Sequence, residues 1–518
     1  MARRAQPIGH RSGVGAAAIV AALILGALVA VALRAESGRG LGPSDWGAVQ
    51  FTVVQAALSA GFSVAIAVPV ARALARRRFP GRRILIALLG APFILPVIVA
   101  VLGLLAVFGR NGWISVALGW IGLPPLQIYG LHGVVLAHVF FNLPLATRLI
   151  LQGWQEIPAE RFRLAAQLGA GPRAMWQLLE WPMLRQIVPS VLAVIFAICL
   201  TSFAVALTLG GGPGATTIEL AIYQAFRFDF DLGRAALLSC IQIALTGTAA
   251  LIALRTARGD GFGSGLDRPV QRWDARGKAA RVLDGGLIML AAGFLLVPLA
   301  AIVLAGLPGL VDLPVTVLAA TLNSVFVAGI STLVTLALAL PMAIAVALGR
   351  GGFVEFSGLL GLAASPLVIG TGFFVVIYPV VDPALLALPV TALVNALMAL
   401  PFALRILVPR ARQVIDRYGR LALTLGMAGR PFLRRVLLPR MRAQIGFAAG
   451  LSAALSMGDL GVITLFADSE RATLPLQVYR LMGAYQMQAA AAAALLLLAM
   501  SMALFWLLDR GGRWHAEA

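Results

Sequence analysis

Charged side chains, cysteine, histidine and lysine are all scarce in this sequence. Only 12% of its 518 residues are charged, against 60% hydrophobic, a balance that no soluble fold of this length needs. Its two cysteines, Cys199 and Cys240, both sit inside apolar runs, so they read as packed side chains and not as a disulfide or a metal pair. Four histidines, none at metal-ligand spacing, leave no metal site to build. Lysine occurs once, at Lys278, so the net charge of +20 is carried by arginine. Those arginines lie between apolar runs and not on one soluble face, which excludes a nucleic-acid partner. No Gly-rich phosphate loop ends in Lys-Ser or Lys-Thr, and no Ser/His/Asp set has supporting context. The chain therefore reads as no enzyme, and its energy comes from a partner or an ion gradient.

What is abundant is apolar sequence in long runs. The run from Val14 to Leu33 follows Arg3, Arg4 and Arg11; it is longer than a signal peptide's core and no clean cleavage site follows, so it reads as a first spanning helix. Further runs fall at about 50–75, 84–108, 130–152, 190–209 and 232–255, then 282–307, 318–348, 357–380, 384–408, 444–466 and 488–508. Each is long enough to cross roughly 30 Å of hydrocarbon as a helix. The fold class is an all-α polytopic membrane protein with about twelve transmembrane helices. Arginine collects in alternate loops, at Arg72–Arg83, Arg161–Arg185, Arg255–Arg281 and Arg405–Arg442. The other loops hold Glu36, Asp45, Glu219, Asp229, Asp231, Asp312, Asp382, Asp468 and Glu470. The positive-inside rule makes the first set cytoplasmic, together with both termini.

The chain also repeats itself. Sliding it by 257 residues lays Leu143–Arg185 on Leu400–Arg442 with twelve identities in forty-three positions, among them Arg163/Arg420, Gly169/Gly426 and Pro182/Pro439. Tyr223 pairs with Tyr479 near the same offset; Pro69 with Pro341 and Pro96 with Pro366 need larger ones, which implies a longer loop near 109–130 in the first copy. Six spans per copy is an even number, so the two repeats are parallel. This divides the chain into a first half at 1–255, a cytoplasmic linker at 256–281 and a second half at 282–518. The repeated segment forms a cytoplasmic loop in each half, at about 153–189 and 409–443.

Each loop reads as helix, turn, helix. Pro158 suits a first helical position, and Gly169 stands where a left-handed C-terminal cap needs no side chain. Gly171-Pro172 opens the second helix. In the second copy Asp416 is placed to N-cap, Gly426 to C-cap, and Pro431 to open the next helix. Short, basic and apolar on one side, such a piece can lie against anionic headgroups or dock in a groove of another protein; the Gly and Pro paired in both copies favour docking.

These segments, L-A-A-Q-L-G…P at 164–182 and L-A-L-T-L-G…P at 421–439, resemble the "EAA" loop of binding-protein-dependent ABC importer permeases. The resemblance implies a type I ABC importer permease fold and a coupling role for Leu164, Ala165, Ala166, Leu168, Gly169, Pro182, Leu421, Ala422, Leu423, Leu425, Gly426 and Pro439. It departs from the pattern at Arg163 and Arg420, which stand where the family usually has Glu. A duplicated permease is similar to the subgroup of iron(III) and thiamine importers. The stretches A-R-R-R-F-P-G-R (75–82), L-H-G-V-V-L-A-H-V-F-F-N-L-P (131–144), L-G-G-G-P-G-A-T-T-I-E-L-A-I-Y-Q-A (209–225) and M-G-D-L-G-V-I-T-L-F (457–466) look closest to the Gram-negative permeases for thiamine and its pyrophosphate. The resemblance implies a bacterial inner-membrane importer, two copies of an ABC ATP-binding subunit, a periplasmic substrate-binding protein and surrounding lipid. ATP and Mg then sit on the partner ATPase, and this chain binds no cofactor.

Polar residues inside apolar runs are costly in lipid and mark a cavity or a partner helix. Asp459, between Gly458 and Leu460-Gly461, either faces the pathway of a cationic substrate or caps backbone at a helix break. His138 and Asn142 share a helix face and either bond between helices or meet substrate; Asn395 is the other polar candidate. Gly210–Gly214 is a turn or an anion cradle in an external loop, and Glu219 there is a candidate contact for the binding protein. An iron(III) permease remains the alternative substrate reading, and an ion-coupled secondary transporter the alternative of another class.

Overall fold

The computed structural model describes residues 8–35, 41–90, 94–256, 277–349, 351–468 and 470–513. Glu36 and most of the expected linker at 256–281 lie outside the described residues. Every regular element among the described residues is helical. Its first part runs α1 (Arg11–Arg34), α2 (Pro43–Arg76), α3 (Arg82–Leu88), α4 (Val97–Phe108), α5 (Trp113–Trp120), α6 (Leu131–Glu156), α7 (Ala159–Gln167), α8 (Pro172–Met175), α9 (Trp181–Leu200), α10 (Phe203–Leu209), α11 (Ile218–Arg227) and α12 (Leu232–Thr256). It continues with α13 (Lys278–Gly306), α14 (Val315–Ala347), α15 (Gly351–Ala363), α16 (Pro366–Ile377), α17 (Ala387–Thr424), α18 (Arg430–Phe432), α19 (Leu438–Met457), α20 (Gly461–Phe466), α21 (Leu474–Gly483) and α22 (Met487–Arg513). Among the described residues eleven helical stretches, some made of consecutive elements such as α4 with α5, are long and apolar enough to cross a membrane, and a bent pair, Gly351–Leu362 with Pro366–Ile377, makes a twelfth if counted as one span. The chain is a multi-pass membrane protein.

The runs expected at 84–108 and 357–380 are not single straight helices. Pro96 and Pro366 stand at the starts of α4 and α16, and the second pair bends by 96°. Proline removes a backbone donor and restricts the residue before it, so the helix restarts there. The longer first-copy loop near 109–130 contains α5.

Elements correspond along the chain. Under the 257-residue shift a π-helical turn at Trp176–Glu180 falls on a second at Leu433–Leu437, and α9 falls on α19 residue for residue. Equivalent hydroxyls hold the starts of α11 and α21: Thr52 Oγ1 accepts from the Ile218 amide at 2.9 Å, and Ser324 Oγ from the Leu474 amide at 2.7 Å.

The two first helices cross over. α1 packs along α14, α15 and α16 and also meets α12, while α13 packs on α2 and α4 as well as on α22. Two apolar cores follow this exchange. Ala16, Val20, Ile24 and Ala27 belong with α14, α16 and α17, whereas Ile288 and Leu295 belong with α2, α4 and α6. The first helix of each stretch thus packs partly across the division at 255 and 282. Glycine permits the crossings, because only a missing side chain lets backbones come this close. A Cβ at Gly372 would lie 2.3 Å from the Ala27 carbonyl oxygen, and one at Gly103 2.5 Å from that of Pro298.

Candidate coupling hairpins and the polar breaks between the halves

The repeated segments form two exposed helical hairpins. In the first, α6 stops at Glu156 because Pro158 follows; Pro158 is the N-cap of α7 and not its first helical residue. α7 closes with a Schellman motif: the Gly169 amide donates to Ala166 O at 3.1 Å and the Ala170 amide to Ala165 O at 2.9 Å. Gly169 has φ of +65° and Gly426 +66°, a region that L side chains disfavour. The second hairpin repeats the motif, with Gly426 donating to Leu423 O and Met427 to Ala422 O.

Asp416 does not cap. It lies inside α17, which runs unbroken from the membrane through Leu421 to Thr424. Val414 and Ile415 replace Ile157-Pro158, so an amide is present and the helix continues. Pro431 does stand at the start of α18. Leu164 and Leu168, a turn apart, are 57% and 75% exposed, and their equivalents Leu421 and Leu425 are 56% and 62% exposed. Ala166, Pro182 and both cap glycines are also exposed, Ala165, Leu423 and Pro439 are half-buried, and Ala422 is buried. Each hairpin thus presents a matched apolar pair within a basic surface, Arg163 and Arg420 included.

The first hairpin has an anchor that composition alone did not flag. Glu180 is fully buried and meets Arg72 at 2.7 Å, Arg76 at 3.8 Å and the Trp154 indole N–H at 3.3 Å. The signal was one acid inside a basic segment, with Leu437 at its equivalent position.

Inside the membrane, α9 and α19 each break and restart as α10 and α20. The breaks carry equivalent polar groups, since His138, Cys199 and Ser202 correspond to Asn395, Ser456 and Asp459 at 257 residues. His138 is buried, with Nδ1 3.2 Å from Ser59 Oγ and Nε2 2.5 Å from Ser202 Oγ. Asn142 donates to His138 O at 2.9 Å and to Cys199 Sγ at 3.3 Å. The Gln55 and Gln242 amides satisfy the carbonyls of Cys199 and Leu200, each at 2.8 Å, which helix interruption would leave unpaired in lipid. On the other side Asn395 donates to Ser456 Oγ at 3.0 Å, and Asp459 Oδ1 accepts the Gly461 amide at 3.2 Å. One oxygen of Asp459 therefore caps the break, and Oδ2 is buried. His138 and Asn142 bond between helices. Ser202 and Ser59 were missed because a serine in an apolar run carries little signal.

Glu219 is not where a soluble partner can reach it. Its side chain is 1% exposed on α11 and takes a hydrogen bond from Ser365 at the start of α16. Burial pushes its carboxyl up to about 7. α11 is amphipathic, and position 219 lies on the face that turns inward with Tyr223 and Phe226. Gly211 and Gly212 have φ of +75° and +136°, the geometry of a turn.

No family model matches the sequence. The chain is 39% identical over 519 residues to the thiamine transport system permease protein ThiP of Brucella abortus, covering 97% of this chain and 95% of that protein. It is 39% identical over 535 residues to ThiP of Salmonella typhimurium, covering all of both. With ThiP of Escherichia coli it shares 38% over 531 residues and 98% of each.

Proposed function

This chain belongs to the family of thiamine transport system permeases, and from that premise we propose that it is the membrane permease of an ATP-driven ABC importer that passes thiamine, and its phosphates, across the bacterial inner membrane. The observation that carries this reading is similarity to transport permeases along essentially the whole chain. Its two halves are parallel six-helix repeats, both termini and the linker face the cytoplasm, and the linker joins the halves. A periplasmic binding protein delivers the substrate. Two ATP-binding subunits hold ATP and Mg and carry out hydrolysis, and the chain itself is a permease without a cofactor.

The hairpins support a coupling role. Their exposed leucines offer apolar anchors for a groove on each ATPase, and the caps at Gly169 and Gly426 fix the turn between the two helices of each hairpin. Closure of the ATPase pair brings the hairpins together. α9 and α19 follow directly from the hairpins, so this motion reaches the breaks at Ser202 and Asp459. Asp459 lies on the path between the halves, and His138 and Asn142 hold the first break beside it. The test is the purified complex in lipid with its binding protein, empty or loaded with thiamine, thiamine phosphates or iron(III). ATP hydrolysis rises with thiamine-loaded protein and falls to the basal rate in Gly169→Asp and Gly426→Asp. Stimulation by iron-loaded protein alone overturns the substrate, and failure to bind any ATPase overturns the importer class.

A further inference from the structure

Two carboxylates at the meeting of the halves lack the partner that others have. Among the described residues Asp45, Glu180, Glu219 and Asp284 are buried acids. Three face an arginine: Asp45 with Arg234, Glu180 with Arg72 and Asp284 with Arg77, each at 2.7 Å. Glu219 has the Ser365 hydroxyl, and its Oε1 has no partner. Asp459 faces no arginine either: its carboxylate takes the Gly461 and Val462 amides and the Asn395 side chain, while Oδ2 is buried. A buried carboxylate without a counter-charge is strongly disfavoured, and what both sites lack is a cation.

Aromatic rings join the two acids. Glu219, Tyr223 and Phe226 share one face of α11. Phe226 meets Phe374 edge-on at 4.2 Å, and Phe374 lies 5.4 Å from Phe466 on α20, the helix that starts two residues after Asp459. On the other flank Phe203 lies 5.4 Å from Tyr223. A Cβ at Gly461 would be 3.8 Å from Phe203 Cδ1 and 3.7 Å from Asp459 Oδ1. The rings come from both halves and run from the helix of Glu219 to the break at Asp459. These rings are packed on one another in this state, the phenylalanines buried; where the halves part, ring faces attract cations and flat heterocycles, and two acids without an arginine at either end fit a flat organic cation.

We propose that Glu219 is a specificity-determining residue of the transport path, taking the cationic ring of the substrate between the halves and passing it along the aromatic wall to Asp459. This deepens the functional reading above and rests on it, since thiamine carries a thiazolium cation. Glu219 confers preference for a cation, and the rings confer preference for a flat one.

The test uses the full complex in proteoliposomes with thiamine-loaded binding protein and ATP. Glu219→Gln keeps the volume and an acceptor for Ser365; it lowers thiamine uptake at least about tenfold, while stimulated ATP hydrolysis stays within about twofold of wild type. In the unaltered complex, dicyclohexylcarbodiimide labels Glu219 and Asp459, and thiamine present during turnover protects both, as read by mass spectrometry of the peptides. Uptake by Glu219→Gln within about twofold of wild type overturns the proposal, as does labelling that thiamine leaves unchanged. If Glu219→Gln fails to assemble, the labelling of the unaltered complex decides alone. Wild-type complex that takes up no thiamine overturns the functional reading instead, a failure visible before any variant is made.

Discussion

The same position in the two halves is held by ions in one and by hydrocarbon in the other, and this predicts how the first hairpin responds to mutation. Glu180 sits between Arg72, Arg76 and Trp154. The residues at the corresponding positions of the second half are Leu437, Ile344, Leu348 and Ala411, all buried in one apolar cluster. Removing one partner of a buried ion pair costs about 3–5 kcal/mol, whereas replacing the whole set by packed apolar residues is often neutral. Glu180→Leu takes the buried carboxylate from Arg72 and sets an apolar side chain beside it. The Arg72 side chain keeps 26% exposure, so the cost falls at the low end, about 3 kcal/mol, or roughly a hundredfold more frequent opening of the hairpin. Glu180→Leu with Arg72→Ile and Arg76→Leu recovers most of this. It retains a deficit of about 0.5–1 kcal/mol from the lost stacking of Arg72 over Trp176. Hydrogen exchange of peptides covering 172–190 in the whole complex reads both. A single variant that exchanges like wild type, or a triple variant as open as the single, refutes the reasoning.

Other outcomes follow from the same geometry. Gly169→Ala and Gly426→Ala force a side chain into positive φ and each cost about 1–2 kcal/mol, read as a lower thermal midpoint of the complex and weaker coupling of ATP hydrolysis to uptake. Leu168→Glu with Leu425→Glu leaves the midpoint of the isolated chain unchanged, because both side chains are exposed; it abolishes ATPase association in a pull-down. Gly372→Leu sets a Cβ 2.3 Å from the Ala27 carbonyl oxygen and prevents α1 from docking, so monodisperse protein is lost in size-exclusion chromatography. Gly329→Leu, where nothing lies within 4 Å, behaves as wild type.

Particular residues show what the sequence carried and what it hid. The spans were legible because hydrocarbon tolerates few alternatives to about twenty apolar residues in a helix. Gly169 and Gly426 were legible because a residue that must take positive φ is nearly always glycine. Asp416 misled because a cap requires the preceding helix to have ended, and only Pro158 ends one; the second hairpin has no proline at that place. Pro96 and Pro366 signalled the bends in the third spans, yet the hydropathy around them ran on. Glu219 counted as an external acid because it lies in a loop between spans, although the aromatic residues four and seven positions on marked its face of α11 as inward. The exchange of α1 and α13 was not legible at all. In lipid every apolar helix is equally soluble, and the choice of neighbour rests on small residues such as Gly103 and Gly372.

Duplication within one chain also permits what two identical subunits cannot have. A symmetric pair places the same residue on both sides of its axis. Here the equivalent breaks carry His138 with Ser202 on one side and Asn395 with Asp459 on the other. Glu219 has Pro475 as its counterpart, and Glu180 has Leu437. The frame common to both halves consists of the hairpin caps, the π-helical turns and the hydroxyls that hold α11 and α21; on the proposed coupling role these parts move alike. The differences fall on side chains inside the frame. A substrate with a charged ring at one end and a neutral ring at the other has no twofold symmetry, so an unpaired acid is needed on one side of its path and not at the mirror position. On this argument the fused chain keeps symmetric coupling while freeing the lining of the path to be asymmetric. Installing the mirror carboxylate by Ser202→Asp should then slow release of the cation and lower uptake, while association with the ATPase stays intact.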